Sequence, residues 1–359
     1  VEMRILVFRR GLLGDTVVAV AALRCLRGAF PDAHITLVSE APVSGEISWP
    51  QRLLTGQGLV DTIVPFRGYN NPSYLRKVIA LATLLPQLLR HHWDYCIHLD
   101  VHERTRSEFL LSRLLRIEKS IRAIPRPLVS PDTRVPNIVD ELIGVLSPLP
   151  IELPMAQQGD ISLPRQESER TWVDEWIARH PALHSATRPW IAVAPWSNMS
   201  AKEWPVERFT EVLFALRERH KGLTPILIGG PGDRARSTHF VESLGFGIPL
   251  TENLDPRLVL EMLSRCDIYL GIDTGPMHLA AAAGLPCVAI FSARDHAGRW
   301  EPYRVPRSVL RFATPCQGCM LRECVTHQKA CVTNIQPSAV VQACLDLLPP
   351  SPSSREDTR

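Results

Sequence analysis

The sequence predicts an α/β protein made of two domains, each a doubly wound parallel sheet. Three observations predict it. Short apolar runs alternate with amphipathic stretches along both halves of the chain. Glycine-bearing turns follow several of those runs. The chain has 359 residues, 45% of them hydrophobic and 21% charged, which is a globular composition and suits two domains of roughly 100–200 residues each.

The elements follow in order. Residues 4–8 read as a strand and 16–30 as a helix; Pro31 and Asp32 turn the chain into a second strand at 35–38. Residues 94–99 read as a further strand and 107–115 as a helix. In the second half, 190–194, 225–228, 268–271 and 287–291 are continuous apolar runs. Such runs suit strands covered on both faces, as in parallel sheets. Helical patterns lie between them at 206–219, 258–264 and 276–283. Alternation of this kind specifies Rossmann-like winding. The proline-rich stretch 146–164 lacks periodicity and marks the boundary. The expected domains are therefore 1–160 and 161–348, facing each other across a cleft, and 349–359 is a polar tail expected to be disordered. Ligands of such sheets bind at the carboxyl ends of the strands.

The first strand runs into Arg9-Arg10-Gly11-Leu12-Leu13-Gly14-Asp15. Its glycines permit a tight turn and close approach to a ligand. One reading is a dinucleotide fingerprint with Glu40 as the ribose acid, but the spacing is G-x-x-G and not G-x-G-x-x-G. Asp15 also opposes that reading, because a carboxylate at a helix N-terminus repels a pyrophosphate that seeks the same place. Asp15 is then either a helix cap or a general base held at the cleft.

The most informative stretch is Gly271-Ile272-Asp273-Thr274-Gly275-Pro276-Met277-His278. A strand ends at Asp273 and a helix begins near Pro276, a residue favoured at the first helical position. Gly275 removes side-chain bulk, so the amides of Met277 and His278 face an anion such as phosphate. His278 sits in the first turn as a further donor. Lys202, before Trp204-Pro205 and another helix start, brings a compact positive charge suited to phosphate. Gly230 and Asp233, in the loop Gly229-Gly230-Pro231-Gly232-Asp233, are weaker candidates for a donor loop and a ribose contact. The bland alternatives are helix caps and exposed side chains.

Taken together, these motifs resemble glycosyltransferase family 9, the lipopolysaccharide heptosyltransferase family. The resemblance runs through Arg9-x-Gly11-Leu12-Leu13-Gly14-Asp15, Lys202-x-Trp204-Pro205, Gly229-Gly230-Pro231, Asp273-Thr274-Gly275-Pro276-x-His278-Leu279-Ala280, and Phe291-Ser292-Ala293-Arg294-Asp295 leading to Arg299-Trp300. It implies a GT-B fold, a nucleotide-sugar donor and inversion at the anomeric carbon, with ADP-heptose as donor and a lipid-linked or oligosaccharide core acceptor. By motif position it makes Asp15 the general base and Lys202 the phosphate-binding lysine. It assigns Asp273, Thr274, Gly275 and His278 to the donor-binding motif; Arg9 and Gly14 are further candidates for donor or loop contacts. It implies no cofactor for catalysis. Ser292-Ala293-Arg294-Asp295-His296 stands where the family has Gly-Pro-Thr-Asp-Pro, a departure on the donor side. A sugar-nucleotide epimerase of the same fold is the alternative within catalysis; an NAD-dependent oxidoreductase is a more distant one.

Cys316, Cys319, Cys324 and Cys331 form a C-x2-C-x4-C-x6-C cluster. In a reducing compartment four close thiols suggest a structural zinc or iron site, and His327 is a possible substitute ligand. Cys25, Cys96, Cys266 and Cys287 lie in apolar contexts and read as core residues. The net charge of +3 gives no ground for nucleic acid as a partner. Arg104, Arg106, Arg113, Arg116, Lys119, Arg122 and Arg126 crowd one stretch, which is either a solvated face or a surface for an acidic substrate or anionic membrane. No apolar run reaches the ~18–20 residues of a membrane span, and the N-terminal run reads as a strand and not a signal peptide. The expected location is cytoplasmic, with peripheral contact at the inner face of the inner membrane.

Overall fold

A computed structural model describes residues 2–41, 47–67, 73–100, 113–117, 119–122, 129–130, 132–150, 159–183, 188–250, 255–325 and 327–349. The helix expected at 107–115 and the tail at 349–359 lie almost wholly outside these residues.

The chain divides into two units: Val1–Leu128 with Pro136–Ile161, and Val129–Val135 with Ser162–Arg359. The short segment Val129–Val135 thus belongs with the second unit, which a single cut after residue 160 does not capture. Local bonding explains the assignment. The Val135 N–H donates to the Ala297 carbonyl (2.9 Å), and Arg134 pairs with Glu301. Gly298 lets the backbones meet: it has φ +93°, and a Cβ there would lie 2.1 Å from the Val135 oxygen.

The first unit holds a parallel sheet of order β3-β2-β1-β4-β5. Its strands are β1 (Arg4–Arg9), β2 (His34–Glu40), β3 (Thr62–Phe66), β4 (Tyr95–His98) and β5 (Lys119–Arg122). Helix α1 (Leu13–Ala29) is rich in Ala, Val and Leu and buries residues from Thr16 to Leu26 on nearly every side. It packs against α2 (Trp49–Leu54) and α4 (Ile138–Gly144). Helix α3 (Tyr74–Leu89) seats Leu84 and Leu88 on Leu6, Phe8 and Trp93. On β5, a sheet edge, Lys119 and Arg122 are exposed, as charged residues on edges generally are. Arg113 and Arg116 are also exposed; Arg104, Arg106 and Arg126 lie outside the described residues.

The second unit holds a parallel sheet of order β11-β10-β9-β6-β7-β8. The strands are β6 (Trp190–Ala194), β7 (Thr224–Ile228), β8 (Ile248–Leu250), β9 (Ile268–Ile272), β10 (Cys287–Phe291) and β11 (Arg307–Arg311). The runs that suggested two-sided burial are buried throughout in β6, β7, β9 and β10. The helices are α5 (Glu167–Ala178), α6 (Val206–Arg219), α7 (Arg234–Leu244), α8 (Pro256–Arg265), α9 (Gly275–Ala282), α10 (Ala330–Thr333) and α11 (Pro337–Leu347). Each sheet starts at its centre, winds outward to one edge, then returns to build the other. The switch point lies between β1 and β4 in the first unit and between β6 and β9 in the second. Ligands of open α/β sheets bind beyond the strand ends at such points.

Among the described residues, no helix is long and apolar enough to cross a membrane. One buried ion pair ties α5 to α8. Arg257 Nε and Nη2 donate to Glu169 Oε1 and Oε2 at 2.7 and 3.0 Å, and both side chains are about 8% exposed. Removing the cation leaves a buried carboxylate uncompensated, so Arg257→Met is expected to cost about 3 kcal/mol. Urea unfolding checks this, and an unchanged midpoint would refute it.

Candidate functional site

At the first switch point, the turn after β1 is lined by carboxylates that take its amides. Arg10 N–H donates to Asp100 Oδ1 (3.1 Å), Gly11 N–H to Glu40 Oε2 (3.0 Å) and Leu12 N–H to Asp15 Oδ2 (2.9 Å). A dinucleotide site needs those amides for pyrophosphate. Here three acids occupy them, and Glu40 bonds the loop in place of a ribose, so the geometry opposes the dinucleotide reading. Asp15 reaches back from the third helical position to the N-cap amide, one half of a capping-box arrangement.

Arg9 fixes the other side of Asp15. It is buried, and its guanidinium donates to the Leu99 carbonyl (2.7 Å), the Asp15 carbonyl (3.1 Å) and Asp15 Oδ1 (3.3 Å). Its Nη1 stands 3.6 Å from Asp100. Arg9 is therefore the residue that orients Asp15, while the Asp15 side chain keeps 33% exposure at the strand end. Gly14 lies in the first turn of α1. Of the two glycines expected to permit the tight turn, the one with a left-handed backbone is Gly11. It has φ +113°, and a Cβ there would fall 2.2 Å from Asp15 Cγ. Gly11→Ala is expected to cost about 1–3 kcal/mol from backbone strain and displacement of Asp15. Gly58→Ala, at φ +70° with nothing within 4 Å, bears only the backbone part and should cost less. Equal shifts in the two unfolding midpoints would show that the contact with Asp15 contributes nothing.

At the second switch point, β6 leads into a loop ending in Ser200–Lys202 and β9 leads into Asp273. Lys202 Nζ bonds Asp273 Oδ2 (2.7 Å) and the Asp273 carbonyl (3.1 Å). The side chains are 15% and 9% exposed, so the pair is nearly buried. Trp204 anchors this loop: it is 2% exposed, packs in the core beside Phe209, and donates to the Ile335 carbonyl. Glu203 Oε1 accepts from the Ser197 N–H (3.0 Å), closing the loop on itself.

Helix α9 begins at Gly275 with Thr274 as its N-cap. The Met277 N–H turns back to the Thr274 carbonyl (3.1 Å), which corrects the expectation that this amide faces an anion. His278 is 4% exposed, not a surface residue, and its ring meets Trp300 edge-on at 6.0 Å between centroids. The motif also explains Gly271. A Cβ there would lie 2.4 Å from the Tyr269 hydroxyl and 2.7 Å from the Ala194 oxygen. Burial pushes the Tyr269 phenol well above its ordinary range, so it serves as a neutral hydrogen-bonding prop.

Three residues that the sequence reading left without a role complete the strand-end surface. Asp295 Oδ2 accepts from the Trp300 indole N–H (2.8 Å), Oδ1 accepts from the His296 N–H (2.7 Å), and the Asp295 carbonyl accepts from Arg311 Nη1 (2.6 Å). Arg311 ends β11, and its Nε–H has no acceptor among the described residues. Burial lowers its pKa, opposed by the nearby charges of Asp273, Glu301 and Asp295. Asp295 and Trp300 were visible as part of a motif; Arg311 carried no local signal.

The remaining candidates sit elsewhere or serve their own loops. Asp233 Oδ2 accepts from the Gly230 N–H (2.8 Å) and Oδ1 from Arg236 (3.3 Å), so Asp233 caps its own turn. Cys316, Cys319, Cys324 and Cys331 share one region. Burial pushes the Cys331 thiol up, and the other three add to the shift by like charge. Yet among the described residues no group of three or more His, Cys, Asp or Glu side chains is placed to hold a metal ion. The thiols use local partners: Cys324 Sγ accepts from the Lys329 N–H (3.3 Å), and Cys316 Sγ lies 3.4 Å from Thr314 Oγ1. Cys25, Cys96, Cys266 and Cys287 are buried.

Two parallel sheets, each wound both ways from its centre, are the GT-B class of fold. A family model described as glycosyltransferase family 9 (heptosyltransferase) matches residues 126–330, more than half of the chain. The chain belongs to that family. It is 23% identical over 220 residues to lipopolysaccharide heptosyltransferase 3 of Escherichia coli, covering 60% of this chain and 61% of that protein. It is 25% identical over 155 residues to lipooligosaccharide heptosyltransferase 2 of Campylobacter jejuni, covering 42% and 47%. The matches thus span about half to six-tenths of those relatives' own lengths. The fold resembles a family 9 glycosyltransferase structure from Veillonella parvula, with TM-score 0.75, 20% identity, and 97% and 98% of the two chains covered.

Proposed function

We propose that the chain transfers a heptose from ADP-heptose to a hydroxyl of a lipopolysaccharide core or related glycan acceptor, with inversion and without a metal ion. Family membership supports the donor and acceptor classes. One observation carries the chemistry. A carboxylate, Asp15, is fixed by Arg9 and the Leu12 amide at one switch point, and a lysine, Lys202, is fixed by Asp273 at the other.

In this reading the first unit takes the acceptor and the second takes the donor. The acceptor oxygen attacks the anomeric carbon as the bond from that carbon to the diphosphate oxygen breaks. The acceptor proton passes to Asp15, and the bonding electron pair leaves with the diphosphate. An ammonium has three N–H donors. Two of those on Lys202 go to Asp273, which leaves the third for the diphosphate. His278, Thr274 and Gly275 at the start of α9 complete the anion site, and the growing charge meets groups already oriented. Gly230 and Asp233 shape a neighbouring loop. In this reading the acceptor is lipid-borne and the reaction runs on the cytoplasmic side of the inner membrane.

Thermal-shift binding of ADP, UDP, GDP and CDP, each with and without EDTA, tests the donor assignment. Selective stabilisation by ADP, unchanged by EDTA, is the expected result. Stabilisation by another diphosphate would overturn the heptose donor, and loss with EDTA would overturn metal independence. Conversion of the donor to an isomer with no acceptor present would favour the epimerase reading.

A further inference from the structure

Helix α3 carries two apolar faces, and only one of them is used by the core. Leu84 and Leu88 are buried with Leu6 and Trp93, and Ala80, Leu81 and Leu85 pack beside them. At 100° per residue, Leu75, Val78, Ile79, Ala82, Pro86 and Leu89 fall within a second arc about 100° wide. All six are exposed. Leu75 is 68%, Ile79 53% and Leu89 55% exposed. A continuous exposed apolar stripe on a soluble fold marks a contact surface.

Charge identifies the partner. Between Thr62 and Trp93 the sequence contains no Asp or Glu. Arg76 and Arg90, both exposed, flank the stripe on one side. Beside the helix, a cavity of about 440 Å³ is lined by Pro65, Phe66, Ile79 and Leu84 together with Arg67 and Arg76. An apolar stripe whose charged neighbours on the helix are arginines matches a surface with a hydrocarbon interior and anionic headgroups. The helix has 16 residues, about 24 Å, which is shorter than a bilayer core of about 30 Å. It therefore lies in the plane of the interface.

We propose that the exposed face of α3, with Arg67, Arg76 and Arg90, docks this protein on an anionic lipid bilayer. The purpose, meeting a lipid-borne acceptor, rests on the proposed function, but the docking itself rests on the helix and the arginines around it.

The test is co-sedimentation of the full chain with phosphatidylcholine vesicles, with and without phosphatidylglycerol, at low and high salt. Binding is expected with phosphatidylglycerol and should weaken as salt rises. Leu75→Glu combined with Ile79→Glu should abolish it, while the unfolding midpoint stays that of the wild type because both side chains are exposed. Arg76→Gln should weaken it about fivefold, the loss of one surface cation. Failure of the wild type to bind these vesicles, or equal binding by the double variant, would overturn the proposal. So would a wild-type dimer, insensitive to vesicles, that the double variant turns into monomer, since the face would then belong to a second copy. ADP binding measured on the same variants should be unchanged, which separates failure here from failure of the donor assignment.

Discussion

Asp15→Asn is expected to lower sugar transfer by about 10²- to 10⁴-fold, the range for loss of a positioned general base, while ADP binding stays within about twofold of the wild type. The substitution keeps the shape of the side chain and removes its capacity to take the acceptor proton. It also replaces two acceptor oxygens with one, so either the Leu12 amide or Arg9 loses its bond to the residue 15 side chain, while the bond from Arg9 to the residue 15 carbonyl remains. Asp15 is one-third exposed, so loss of that cap should cost only about 1 kcal/mol. Donor binding is preserved because Lys202, Asp273 and His278 all belong to the second unit. Single-turnover transfer measured beside ADP titration decides the matter. Full turnover in the variant would remove Asp15 from the role of base, and lost ADP affinity would mean that the two sites are coupled in a way this reading lacks.

Lys202→Met should produce two separable losses. The first is stability: Asp273 is left 9% exposed with its partner gone, at an expected cost of about 3 kcal/mol. The second is ADP affinity, weakened about 10- to 100-fold by loss of one charged hydrogen bond worth roughly 1.5–3 kcal/mol. The double variant Lys202→Met with Asp273→Asn distinguishes them. It neutralises the stranded carboxylate, so stability should recover by a kilocalorie or more, whereas ADP affinity should not. Such non-additivity is expected for groups in direct contact. Recovery of both properties would make the pair structural only; recovery of neither would place the effect in misfolding of the Ser200–Lys202 loop.

Much of the candidate site was legible because its chemistry is local. Strand-to-helix turns announce themselves through glycine and proline, and the residue that follows a strand lies at a strand end whatever the sheet order. That is why Asp15, Lys202, Asp273 and His278 stood out as candidates, while the role proposed for each follows from the family resemblance. Less was legible where a local pattern has several tertiary outcomes. Asp233, a candidate ribose contact, also accepts the amide of its own turn. The Met277 amide folds back on Thr274. Whether four cysteines within one segment surround one point depends on how the backbone brings them together, and among the described residues no group of three or more is placed to hold a metal ion. Arg311 was invisible because nothing about the end of an edge strand reveals which loops fold over it.

What the sequence by itself determined was the alternation of strands and helices, the two-unit plan and the chemical type of each strand-end residue. These depend on periodicity and on turn stereochemistry within a few neighbours. Only the tertiary structure decided who meets whom. Arg9 reaches Leu99 across 90 residues, Gly11 reaches Glu40 across 29, and Lys202 reaches Asp273 across 71. Those meetings follow from strand order, with β1 between β2 and β4, and β6 beside β9. Strand order is set by the packing of whole helices on both sheet faces, an energy summed over the entire unit and carried by no single stretch of chain.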